Sequence, residues 1–337
     1  MAVVAYHAVV ALHLRGALTV KADPAVDLFF CISGFVLAYA HDNDIVEGKL
    51  NAVKFLTARW LRFFPVLLLG ACLGFAAIQF DPALTPLRDA GNLLPLSSIM
   101  LILSLFLIPV LFKSHVLFVN GVYWSLCVEL IVNFFYALQG NHLKQKYVYA
   151  IWLTSALMLV GFCVWYGTIH FPDDPLGAFG CLIRGVASFF AGVVVFRIWR
   201  SGIRAPNVNP WILIGAICIP LLFPYSAPWF KAPLDGLFIL IVFPIVVWCA
   251  ASSTEIESSF FSFIGEASFP LYAIHVPVLI FIERPFVDLA VPLKLAFVVS
   301  FTILMTLVAA MVAAFYEKPA RALIRGIVRK PQPKAEG

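Results

Sequence analysis

Charge is what this sequence has least of. Only 12% of its 337 residues are charged and 62% are apolar, whereas a soluble domain carries about 25% charged and about 45–50% apolar residues. The chain lacks the polar surface that a water-facing globule needs, so an ordinary soluble fold is excluded. Its apolar runs also lack the two-residue alternation of a membrane barrel. Seven cysteines are present (Cys31, Cys72, Cys127, Cys163, Cys181, Cys218 and Cys249), but no CxxC spacing occurs among them. Odd in number and scattered through apolar segments, they read as small packing residues, neither a disulfide framework nor a metal site. The start of the chain has no basic leader and no small-residue cleavage site, so a cleavable signal peptide is not expected. The net charge of +5 is accounted for by basic residues that hold loops on one side of a membrane, and no nucleic-acid partner is expected.

What is present in abundance is continuous apolar sequence. Segments at 2–14, 26–40, 63–80, 92–112, 121–138, 147–169, 176–196, 211–229, 234–251, 268–282 and 295–315 are candidates to cross a hydrocarbon core of about 30 Å. The reading is an all-α polytopic membrane bundle of about ten transmembrane helices. It divides into a membrane domain over 1–316 and a basic tail over 317–337. Segment 92–112, interrupted by Pro95 and Pro109, is expected to be re-entrant or to lie on the outer face. With ten spans and both termini cytoplasmic, Lys49, Lys54, Arg59, Arg62, Lys144, Lys146, Arg197, Arg200, Arg204 and the tail put fifteen basic residues inside against seven outside. That satisfies the positive-inside bias, although an inverted eleven-span arrangement gives fourteen against eight and passes the same test.

Ionisable groups inside spans are costly and therefore point to function. His7 lies among apolar neighbours in Val4–Val10, where an imidazole can take a hydroxyl proton and return it; an interhelical hydrogen bond is the plainer reading. His13 is a weaker rival at the helix end. Arg59 and Arg62 are three apart, which places both guanidinium groups on one helical face, where they could grip phosphate or simply anchor the helix. Ser125 and Glu129 share a face behind the aromatic pair Tyr123 and Trp124. Glu129 needs a partner, with His7, Arg184 and a substrate hydroxyl as candidates. Arg184, taken as the one arginine within a span, pairs either with Glu129, with an outer-loop acid or with substrate. His275 sits between Pro270 and Pro277, whose effect on the backbone frees carbonyls to line a cavity.

Several stretches then fall into a known order: Val4-Ala5-Tyr6-His7-Ala8, Asp27-Leu28-Phe29-Phe30 leading to Ser33-Gly34-Phe35, and Arg59 with Arg62 and Pro65. Trp124-Ser125-Leu126 with Glu129, the Phe- and Gly-containing helix from Arg184 to Gly192, Ser268 to Pro277, and Glu317-Lys318-Pro319-Ala320-Arg321 complete the series. Together they resemble the membrane-bound acyltransferase-3 family over nearly the whole chain. The resemblance implies an O-acyltransferase of the bacterial inner membrane, with acyl-CoA, most commonly acetyl-CoA, as donor substrate and no tightly bound cofactor. A cell-surface or lipid-linked carbohydrate would be the acceptor and membrane lipids the surroundings. His7 would act as general base or transient acyl carrier, and Glu129 would orient a polar partner. Arg59 and Arg62 would lie near the donor phosphates, with Trp124, Ser125, Arg184 and His275 in substrate-binding or structural-polar roles. The family has an arginine ahead of its first-helix histidine and often a fused esterase-like domain. Only six residues precede His7, so a truncated first helix is expected, and with no stretch matching the esterase-like domain a stand-alone member is expected. The competing reading is a transporter or flippase of lipid-linked sugars, which would also place such residues in a proline-broken bundle but would show two related halves.

Overall fold

The computed structural model describes residues 1–14, 21–81, 84–112, 115–140, 144–171, 173–222, 228–253 and 258–328. In lipid a backbone must satisfy its own polar groups, and a helix does so locally. Accordingly, the described residues form α1 (Ala2–Ala11), α2 (Asp23–Val46), α3 (Ala52–Phe80), α4 (Thr85–Asp89) and α5 (Leu93–Leu105), then a hairpin of β1 (Val110–Phe112) and β2 (His115–Leu117). Then come α6 (Tyr123–Leu138), α7 (Gln145–Tyr166), α8 (Pro175–Arg200), α9 (Pro210–Leu222), α10 (Pro228–Leu237), α11 (Phe243–Ser252), α12 (Ser259–Ile282), α13 (Val291–Val312) and α14 (Lys318–Val328). Among the described residues, seven stretches are long and apolar enough to cross a membrane: α2, α3, α7, α8, the run through Ala232–Ser252, α12, and the run through Val291–Ile327. The chain is an all-α polytopic membrane bundle. α5 has 13 residues, about 20 Å at 1.5 Å per residue, and is too short to cross. It ends at Leu105, and two residues on, buried Leu107, with φ 57°, turns the chain back into the hairpin.

α6 divides the interior. Its Leu126 and Leu130 join an apolar cluster with Val4, Leu67, Leu271 and Phe301 from α1, α3, α12 and α13. Its Val128, Val132 and Tyr136 join a second cluster with Phe30, Val148 and Phe189 from α2, α7 and α8. Between these faces runs a stripe of buried Ser125, Glu129 and Asn133, spaced by four. The polar residues of α6 therefore lie along the seam where two apolar cores meet.

Several boundaries differ from the sequence reading, with α3 and α12 beginning well before residues 63 and 268, and three of the differences have a clear local reason. α1 stops at Ala11, short of residue 14, because His13 takes a left-handed conformation (φ 56°) while the Leu14 amide donates to the Val9 carbonyl. α2 continues past residue 40 to Val46, since Asp42 is buried among partners from other helices. The basic tail is helical as far as Val328, entered through a π turn at Ala313–Glu317; its positions 329–337 lie outside the described residues, as does Arg15.

α2 and α8 pack most extensively, and glycine makes their approach possible. A Cβ at Gly34 would collide with the Phe189 carbonyl, and one at Gly192 with the Cys31 carbonyl, so the two backbones touch at two reciprocal points. Gly192→Ala is expected to cost about 1–3 kcal/mol through overpacking. Gly215→Ala on α9, where a Cβ meets open space, should leave the protein unchanged. Thermal unfolding in detergent checks this, and equal midpoints for the two variants would contradict the packing argument.

Candidate active site

Two histidines meet between α1 and α12. His7 Nδ1 lies 3.0 Å from His275 Nε2 and 2.9 Å from the Val3 carbonyl oxygen. His275 Nδ1 lies 2.9 Å from both the Leu271 and the Tyr272 carbonyl oxygens. A carbonyl can only accept, so each Nδ1 carries the proton. His275 Nε2 is then a lone pair that accepts from His7 Nδ1–H, and His7 is left with its lone pair on Nε2. His275 is fully buried whereas His7 is half-buried, so His7 is the accessible member. One turn before His275 on α12, Tyr272 Oη lies 2.5 Å from Ser125 Oγ and 3.0 Å from the Val122 carbonyl.

Proline shapes this part of α12. Pro277 has no N–H to donate to the Ala273 carbonyl, one turn earlier. That oxygen accepts instead from Asn120 Nδ2 at 2.7 Å. The freed carbonyl ties the α5–α6 connection to α12, so at this position the expectation of a cavity lined by unsatisfied carbonyls is not met.

Glu129 forms a second node. Its Oε1 accepts from Arg59 Nη2 at 3.0 Å, from Asn133 Nδ2 at 3.0 Å and from Ser33 Oγ. Its partner is thus Arg59, which the sequence reading had not weighed; neither His7 nor Arg184 pairs with it. Glu129 Oε2, Asn133 Oδ1 and Arg59 Nε are buried without a hydrogen-bond partner among the described residues, so the node keeps spare capacity for a polar group. Arg62, by contrast, is exposed and has no ion pair among the described residues. α14 brings Arg321 beside it, with Nε donating to the Arg62 carbonyl at 3.0 Å. The two arginines of α3 are therefore not equivalent: one is tied to a carboxylate and one is open.

Arg184 is fully buried and pairs with acids of α2. Nε donates to Asp27 at 2.8 Å, Nη1 to Asp23 Oδ1 at 3.2 Å and the Ile169 carbonyl at 2.9 Å, and Nη2 to the Asp23 carbonyl at 2.7 Å. Its guanidinium also lies 5.7 Å from the Trp124 ring centre. Arg184 is not the one buried arginine of the bundle. Arg197, placed by the sequence in a basic loop, lies in the last turn of α8, where Nη2 donates to Asp42 at 2.8 Å. Asp42 also accepts from Tyr136 Oη at 2.9 Å and Arg200 Nη1 at 3.0 Å. His170, in the loop before α8, sits 3.5 Å from Asp23, whose hydrogen bond raises its pKa. That contact is present below the usual imidazole range and is lost as pH rises through the raised value.

Ser33, Asp27, Asn133, Tyr272 and Asn120 were not singled out as site residues. The first, second and fourth stand inside quoted motifs, and Asn133 continues the spacing of Ser125 and Glu129; Asn120 gives no signal in the sequence. No three His, Cys, Asp or Glu side chains cluster as metal ligands among the described residues.

Against known proteins, the family model described as an acyltransferase domain matches residues 1–315. A Rhizobium radiobacter protein described as protein 2 in the picA locus is 33% identical over 144 residues, covering 40% of this chain and 75% of that protein. No solved structure matches.

Removing one member of a buried ion pair strands the other charge, typically at about 3–5 kcal/mol. Glu129→Ala should therefore destabilise the protein strongly, and adding Arg59→Met should recover much of the loss. Thermal unfolding of the two single variants and the double variant measures this coupling; additive losses would show that the pair does not act as a unit.

Proposed function

The chain belongs to the acyltransferase-3 family, and from that premise we propose that it moves an acyl group, acetyl in the first instance, from acyl-CoA to a hydroxyl of a cell-surface or lipid-linked glycan in the bacterial inner membrane. The observation that carries this reading is the His7–His275 pair. Its hydrogen bonds leave a basic nitrogen on the more accessible ring and support that ring from behind. His7 Nε2 takes the proton of the acceptor hydroxyl as its oxygen attacks the thioester carbonyl. The C–S bond breaks, an ester C–O bond has formed, and the CoA thiolate leaves as thiol with the proton that His7 returns. His275 holds the tautomer and stabilises the imidazolium in between, as an orienting group does for a catalytic base.

The donor's phosphates require cations that are not already paired. Arg62 meets that requirement, whereas Arg321 beside it is already paired with Glu317; Arg59 supports the reading in a different way, by holding Glu129. The unpartnered Glu129 Oε2 and Arg59 Nε suit a polar group of the donor passing between the phosphate end and the histidines. Cytoplasmic entry of the donor follows if the ends of α3 and α8 that carry Lys54, Arg197 and Arg200 face inward, as the positive-inside bias favours.

Proton transfer of this kind contributes about 10²–10⁴-fold. In membranes of cells expressing the full chain, supplied with radiolabelled acetyl-CoA, His7→Ala should lose glycan labelling by that factor while the protein stays at its normal level. Undiminished labelling removes His7 from the base role. Arg62→Ala should raise the donor KM and leave kcat nearly unchanged, and an unaltered KM contradicts the phosphate assignment.

A further inference from the structure

We propose that the groove between α6 and α8, roofed by the β1–β2 hairpin, binds an uncharged sugar carried on an apolar chain. This deepens the acyl-acceptor reading above and rests on it for the fate of the bound sugar. The groove encloses about 370 Å³. One wall is the face of α6 formed by Trp124, Cys127, Val128 and Ile131, spaced i, i+3, i+4 and i+7, a stripe about 10 Å long. Leu182 and Phe179 of α8 stand among the other lining residues. The roof is pinned, since the Val116 amide donates to the Asp173 carbonyl at 2.8 Å.

The charges select the head group. Asp23, His170 and Asp173 also line the groove, with Asp27 and the helix-capping Asp174 close by. Arg184 is the lining arginine, and each of its guanidinium nitrogens is already committed to Asp27, Asp23 or the Ile169 carbonyl. A phosphate or carboxylate would meet acceptors and no uncommitted guanidinium. Hydroxyl groups would meet carboxylate acceptors, and a sugar's apolar ring face would meet aromatic side chains. The apolar stripe running on to Ile131 provides a bed for a hydrocarbon chain but nothing for a second polar residue. α2, which carries Asp23 and Asp27, packs against α1, which carries His7, so the acids of the groove stand on the helix beside the proposed base. The donor's polyanionic end is excluded from the groove by the same acids, which separates the two substrates.

The test uses the full chain in phosphatidylcholine nanodiscs and a dodecyl β-glucoside bearing a diazirine. Peptide mapping after illumination should place adducts within 124–131 and 170–182. Excess dodecyl β-glucoside should suppress them about tenfold, and dodecyl β-glucuronide and dodecyl phosphate should not. Ile131→Trp and, as a second filling variant, Cys127→Phe should lower labelling at an unchanged thermal midpoint. Equal suppression by the anionic amphiphiles overturns the proposal, as do adducts elsewhere or full labelling of both folded variants. Labelling needs no acyl donor, so selective competition without consumption of acetyl-CoA upholds the groove and counts against the transfer reaction alone. Transfer with uncompeted labelling overturns the groove alone.

Discussion

A carbonyl oxygen can accept a hydrogen bond but cannot donate one, and in a bundle shielded by lipid that restriction decides the chemistry of the site. The Val3, Leu271 and Tyr272 carbonyls each face an imidazole Nδ1, so both protons are placed by the backbone. The direction of the His7–His275 hydrogen bond follows, and with it the nitrogen that is basic. In the proposed reaction no carboxylate is needed to orient the base, because the buried second imidazole hydrogen-bonds to it. The same restriction operates where Pro277 withholds its donor and Asn120 supplies one to Ala273.

Charge is handled by pairing. Arg184 with Asp27 and Arg197 with Asp42 are buried pairs, half-buried Arg59 meets the buried Glu129, and each pair joins different helices. Two of them link α2 to α8, at positions 15 residues apart on α2 and 13 apart on α8. These fix the register of the pair whose backbones touch at Gly34 and Gly192. Helices held in this way give the histidines, which lie on α1 and α12, a rigid wall in α6. In lipid, apolar surface alone does not draw helices together, so small residues and polar links decide the packing.

The bundle was legible in the sequence because the cost of a polar group in hydrocarbon imposes long apolar runs. His7, Glu129 and Arg184 stood out for the same reason, each being an exception to a costly rule. Their partners were not legible. His7 meets a residue 268 positions away, and Arg184 one 157 positions away, and no local spacing encodes such pairings. Arg59 and Arg62 looked alike because helical periodicity records only that they share a face. Their separation into a paired and an open cation depends on α6 on one side and α14 on the other. Arg197 was read as a loop residue, since charge near a predicted helix end is ordinarily solvated, and Asp42 lies beyond the apolar run at 26–40. Their burial comes from α2 and α8 extending further than apolar runs alone indicate.

The proton positions are the centre of the account, and nitrogen NMR of protein labelled with ¹⁵N-histidine reads them directly, each ring being assigned from the spectrum of a variant that lacks it. Both rings should be neutral and protonated at Nδ1, with His7 showing an unprotonated Nε2 and His275 a hydrogen-bonded Nε2. A proton on Nε2 of His7, with the lone pair turned toward the Val3 carbonyl, would contradict the account.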